Sequence, residues 1–137
     1  MLFNTTDGTH TAQMDTNAPI GSDQALSPKQ LLLAAVSGCT AMDVIALMRK
    51  YRQDVKEFHI DVDAPVTEGS YPVIFKEIKL SFHLSGEIDP AKAVEAVTLS
   101  QTKFCGVSAM VAKAVPIHYS VLVNGENIHH GEAKFEI

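Results

Sequence analysis

Two cysteines, six histidines and a set of scattered carboxylates are the residues of this chain whose types and spacing could do chemistry. The histidines are dispersed. His129 and His130 are adjacent, so their side chains cannot comfortably face one metal, and they read as a solvated pair. His59, His83 and His118 fall on the polar phase of alternating segments, which predicts the outer surface of a sheet. Gly38 and Gly106 stand alone, so no glycine-rich phosphate loop is present, and neither a Gly-x-Ser-x-Gly elbow nor a Cys-x-x-Cys pair occurs. The candidates that remain are Cys39 and Cys105. A free cysteine is often only a small buried hydrophobe. Cys39, however, is flanked by Ser37, Gly38, Thr40 and Ala41, which leave room beside the sulfur for a substrate or another subunit. Cys105 precedes Gly106-Val107-Ser108 at a boundary between helices, where unpaired amides lower a thiol pKa. Cys39 lies about three turns into its helix, with Asp43 four residues on along the same face. Helix geometry alone therefore makes Cys105 the expected nucleophile.

The elements that must position these residues can be read from caps and periods. Residues 1–26 are polar and turn-rich, with short strands expected around 1–5 and 9–15 joined through Asp7-Gly8. Ser27-Pro28-Lys29-Gln30 is a capping box with proline at the first helical position. The helix it opens should run to about Tyr51, apolar all round in its middle and closed by Arg49, Lys50 and Arg52. The period then changes to two. Phe58, Ile60 and Val62 form one strand, and Ile78, Leu80, Phe82 and Leu84 another, both read as antiparallel. Asp89-Pro90 caps a second helix with Val94, Val97, Gln101 and Phe104 at helical spacing, expected to end near Lys103. A third begins at Cys105 and stops before Pro116. Ile117 to Val123 alternate as a strand up to the Asn124-Gly125 turn, and Ala133, Phe135 and Ile137 are expected to form a last strand. The reading is a single α+β domain over 1–137, an antiparallel sheet with a long buried central helix.

Composition excludes whole classes of function. The chain is 46% apolar and 20% charged, which is ordinary for a globular protein and rules out disorder. Net charge is −5 with only two arginines, so nucleic acid is not an expected partner. Leu31 to Met48 is apolar enough to suggest a membrane span, but Asp43 near its middle favours a core helix. Two cysteines make no disulfide framework in a chain of this length, and the first residues have neither a basic nor an apolar signal region. A cytoplasmic location without metal or organic cofactor is expected.

The segment from Ser27 to Val44, with Ser37-Gly38-Cys39-Thr40 at its centre, resembles the central-helix signature of the OsmC/Ohr family. Lys103-Phe104-Cys105-Gly106-Val107-Ser108-Ala109-Met110 is similar to that family's second cysteine motif, and the Gly-Cys-Thr sequence places the resemblance nearest its OsmC-like branch. The resemblance implies an intertwined homodimer that reduces organic hydroperoxides. Cys39 would be the peroxidatic thiolate, Cys105 the resolving thiol, and a dithiol the reductant. By this likeness the roles are the reverse of those the helix dipole suggests. The family holds its thiolate with an arginine from the N-terminal region and a glutamate early in the central helix. Here no arginine precedes Arg49, and Lys29 stands ten residues before Cys39. A lysine cannot form arginine's planar bidentate pair.

Three functions follow as expectations. The first is reduction of organic hydroperoxides by the cysteine pair, in oxidative-stress defence. The second is a non-catalytic ligand-binding or redox-responsive dimer, motivated by the missing arginine and glutamate. The third is acyl transfer with Cys39 as nucleophile and His118 as base, for which no oxyanion motif speaks.

Overall fold

The computed structural model describes all 137 residues, in two compact units, Met1–Ala35 and Val36–Ile137. In the first, strands β1 (Phe3–Thr6) and β2 (Thr11–Met14) pair antiparallel. Asp7 shapes the turn between them, its Oδ1 accepting from the Thr9 and His10 amides at 2.8 and 2.7 Å. The segment after β2 is organised by one buried carboxylate. Asp15 accepts from the amides of Thr16, Ser22 and Gln24 and from the Ser22 hydroxyl. These bonds, led by that from Thr16, outweigh burial and hold the carboxyl well below the usual carboxylate range. Its stabilising contribution is therefore present above the ordinary aspartate pKa and is lost only in strong acid.

Helix α1 (Pro28–Lys50) begins in this unit. Its start is the expected reciprocal box: the Ser27 amide donates to Gln30 Oε1 at 2.9 Å, and the Gln30 amide donates to Ser27 Oγ at 3.3 Å. Its end is sharper than the cations alone imply. Arg52 takes a left-handed φ of 57°, its amide donates to Arg49 C=O, and the Gln53 amide donates to Met48 C=O. That is the helix stop usually built with glycine, and an arginine there costs about 1–2 kcal/mol of backbone strain.

The second unit holds a four-stranded sheet in the order β3 (Asp54–Asp63), β4 (Ile78–Glu87), β5 (Ile117–Val123), β6 (Glu126–Glu132). The alternation read from sequence is kept: Ile78, Leu80, Phe82 and Leu84 of β4 and Ile117, Tyr119, Val121 and Val123 of β5 are buried. The pairing is not antiparallel throughout, because β4 and β5 run parallel. Alternation reports only that one face is buried. The direction is set by the connection, and the helical stretch between β4 and β5 is the kind of crossover that parallel strands require.

Two further details depart from expectation. The last strand is β6, built from the residues directly after the Asn124-Gly125 turn, and Ala133, Phe135 and Ile137 follow it. Asn124 and Gly125 have φ of 49° and 81°, as a two-residue hairpin turn twisted to match its strands demands. In the crossover, α2 (Pro90–Leu99) is capped by Asp89, whose Oδ1 accepts from the Ala91 amide at 3.0 Å. Ala93, Ala96 and Val97 are buried, whereas Phe104 remains 48% exposed. The Tyr119 hydroxyl, 3.4 Å from Thr98 Oγ1, links β5 to α2.

The segment around Asp15 generates the first prediction. A Cβ on Gly21 would collide with the Thr16 carbonyl and the Asp15 carboxylate. Gly21→Ala is expected to loosen this loop. Hydrogen exchange should quicken at the Thr16, Ser22 and Gln24 amides, with protection of the four-stranded sheet unchanged.

Candidate active site

The two cysteines, read from sequence as separate candidates, meet in the second unit. The sulfurs of Cys39 and Cys105 and a carboxylate oxygen of Asp43 all lie within 4.8 Å of one another. Both thiols are free. Helix periodicity explains one edge of this triangle, since Cys39 and Asp43 are one turn apart on α1. The other edge comes from an irregularity. After Leu99 the helix widens into a π-helical turn, Ser100–Phe104, closed by the Cys105 amide donating to the Ser100 carbonyl at 2.9 Å. Such turns are rare and concentrate at functional sites.

Ser100 is fully buried and occupies the centre of a short relay. Its hydroxyl donates to Asp43 Oδ2 at 2.8 Å. With that proton committed, the 2.7 Å contact between Thr40 Oγ1 and Ser100 Oγ is donated by Thr40. The carboxylate is thus fixed beside the sulfurs from α1 and from the π-turn together. Sequence reasoning did not single out Ser100. Its signal was present, as a serine on the stripe of Ala93, Ala96 and Val97, where an apolar side chain would otherwise pack.

Cys105 is the N-cap of the short helix α3 (Gly106–Val111), and its Sγ accepts from the Ser108 amide at 3.3 Å. The helix start expected from sequence is therefore present, but its effect on the thiol is overruled. Burial is the largest influence and pushes the Cys105 thiol up to about 11. The Ser108 contacts lower it, and the neighbouring Cys39 raises it again. A six-residue helix offers one amide and a weak dipole against complete removal from water, and desolvation wins. The inference that Cys105 is the better nucleophile is corrected accordingly.

Gln101 is also fully buried, its Nε2 donating to Ser108 Oγ at 3.2 Å. Cys39, in contrast, is half-buried, and a Cβ added at neighbouring Gly38 would meet no atom within 4 Å. Chemically the arrangement offers one approachable thiol, a second sealed thiol within reach of it, and a fixed carboxylate. As ligands, two sulfurs and a carboxylate oxygen would also suit a borderline divalent ion. His118 stands elsewhere, on β5, with Nε2 3.8 Å from Glu77.

The Cys105 environment sets a pH dependence. A thiol that ionises near 11 when folded and near 9 when unfolded stabilises the fold fully below pH 9. That contribution is lost as pH rises from 9 to 11. Urea unfolding across this range should show stability falling more steeply in wild type than in Cys105→Ala. Equal slopes would mean that the thiol is not held neutral by burial.

Comparison with known proteins extends the picture. A family model described as OsmC-like protein matches residues 21–120. Protein YhfA of Escherichia coli (strain K12) is 37% identical over 112 residues, 81% of each chain. The crystal structure of an OsmC-like protein from Mycoplasma pneumoniae superposes with a TM-score of 0.75 at 11% identity, covering 88% of this chain and 86% of that one. An organic hydroperoxide resistance protein OsmC from Legionella pneumophila superposes at 0.61 with 14% identity, covering 88% and 94%. At those identities the two structures speak for the fold alone. The family match spans most of the sequence and agrees with the α+β architecture: the chain belongs to the OsmC-like protein family.

Proposed function

We propose that this protein reduces organic hydroperoxides with the Cys39–Cys105 pair, as a cytoplasmic homodimer needing no metal or organic cofactor. The observation that carries the reading is the convergence of both sulfurs in one small site, one approachable and the other sealed. The thiolate of Cys39 attacks the peroxide O–O bond, taking one oxygen as a sulfenic acid and releasing the alcohol after protonation. The Cys105 thiol then attacks the Cys39 sulfur, forming a disulfide and expelling water. A dithiol reductant supplies two electrons and two protons to reopen it. Held neutral by burial, Cys105 does not compete for peroxide, and its proton leaves with the Cys39 hydroxyl as water when the disulfide forms. The sulfurs must close from within 4.8 Å to about 2.05 Å. An organic hydroperoxide resistance protein of the same fold suggests which substrate class to test first.

One observation favours a second reading, a redox-responsive or ligand-binding dimer without turnover. The charged group fixed beside the sulfurs is the Asp43 carboxylate, and a negative charge does not favour a thiolate. Rapid-mixing measurement of free thiol separates the two. Cumene hydroperoxide should remove two thiols per chain quickly, hydrogen peroxide more slowly, and Cys39→Ser should abolish the reaction. Thiol loss no faster than that of a small-molecule thiol would leave the second reading in possession.

The dimer rests on α1. Within its apolar length only Val36, Thr40, Val44 and Met48 are buried, a single stripe one turn apart. Met42 is 76% exposed and, with Ala41, Ile45, Ala46, Arg49 and Phe58, lines an open apolar groove of about 400 Å³. An unpartnered apolar face on this scale calls for a second chain, and a second copy is the occupant we assign. Met42→Asp is expected to shift the protein to monomer in analytical ultracentrifugation. A wild type that sediments as a monomer would remove the proposed assembly while leaving the thiol chemistry open to its own test.

A further inference from the structure

The outer face of the sheet carries a second cluster that the thiol chemistry does not use. His59 of β3 pairs directly across from His83 of β4, and Asp61 lies two residues beyond His59 on the same face. The imidazole rings stack with centroids 4.3 Å apart and an interplanar angle of 8°. Both rings turn Nε2 toward one atom: Asp61 Oδ2 is 3.0 Å from His83 Nε2 and 3.7 Å from His59 Nε2. We propose that His59, Asp61 and His83 form a binding site for a borderline divalent metal ion, with zinc(II) the ion of first choice.

Three features carry the inference. The spacing fits: zinc binds imidazole nitrogen and carboxylate oxygen at about 2.0–2.2 Å, so donors at tetrahedral corners stand about 3.3 Å apart. The two nitrogen–oxygen gaps bracket that value, all three donor atoms lie within 4.8 Å of one another, and rotation of one stacked ring is what brings both lone pairs onto the ion. The donors also converge, since both imidazole Nε2 atoms face the same carboxylate oxygen. Finally, the donors stand on paired strands of a fixed register, so no loop must be ordered to assemble them. Nitrogen and oxygen donors of this kind select zinc, nickel or copper over magnesium or calcium. Three protein ligands leave a fourth position for water. The other outward histidines lack this convergence: His118 faces Glu77, and His130 Nδ1 lies 3.1 Å from Ser120 Oγ.

The test is calorimetric titration with zinc chloride in Cys39→Ser, which removes a sulfur from the competing donor set. One equivalent should bind with micromolar or tighter affinity. Loss of even an outer-shell partner costs a metal site about 10–100-fold, so His83→Ala in that background should weaken binding by at least as much. Asp61→Asn, which keeps shape but loses charge, should weaken it too. Circular dichroism of the metal-free variants should match the parent, because all three side chains sit on the sheet's outer face. Absence of zinc binding in Cys39→Ser, or binding untouched by both substitutions, would overturn the proposal.

Discussion

The site depends on how Ser100 divides its bonds. Its carbonyl takes the Cys105 amide across the widened turn, its hydroxyl donates to Asp43, and the same oxygen receives the Thr40 proton. Three residues from two segments are thereby referenced to one buried residue. An ordinary helical turn would pair the Ser100 carbonyl with the amide of Phe104 and leave Cys105 outside that bond. The extra residue in the turn brings the second cysteine into register with the first. Removing water from around these groups strengthens each bond in the relay and equally raises the cost of leaving one unmade.

Burial and hydrogen bonding pull opposite ways at the two most perturbed acids of the chain, and the outcomes differ for a simple reason. Asp15 has four donors converging on its carboxylate, and they prevail over its removal from solvent. Cys105 has one amide and one hydroxyl to set against complete burial, and the neutral thiol wins. The number of donors aimed at the charged form decides the contest more than proximity to a helix start.

This difference also marks what the amino-acid order could and could not reveal. Ser27 with Gln30, Asp89 before Pro90 and the Asn124-Gly125 turn act through neighbours in the chain, so they were legible and formed as expected. The outward phase of His59 and His83 was legible too, but their meeting over Asp61 depends on strand register. The direction of β5, the left-handed Arg52 and the widened turn after Leu99 depend on what the rest of the fold requires locally. Cys39 and Cys105 could be singled out by their small and polar neighbours. That Ser100 holds Asp43 beside them could not, because it is a contact across fifty-seven positions.

The parallel pairing of β4 with β5 has a consequence for how the chain reaches this structure. Hairpins such as β5–β6 can close within microseconds, as their partners are neighbours in sequence. Strand β4, by contrast, finds β5 only after α2, the π-turn and α3 have been traversed, with Leu80 opposite Tyr119 and Phe82 opposite Val121. Loop closure must precede the contacts that reward it, which makes such pairing slow. Until β5 docks, the apolar row of β4 lacks its neighbour and offers an open strand edge. The π-turn and Cys105 lie within that crossover, so the second thiol is carried by the very segment that the parallel pairing closes.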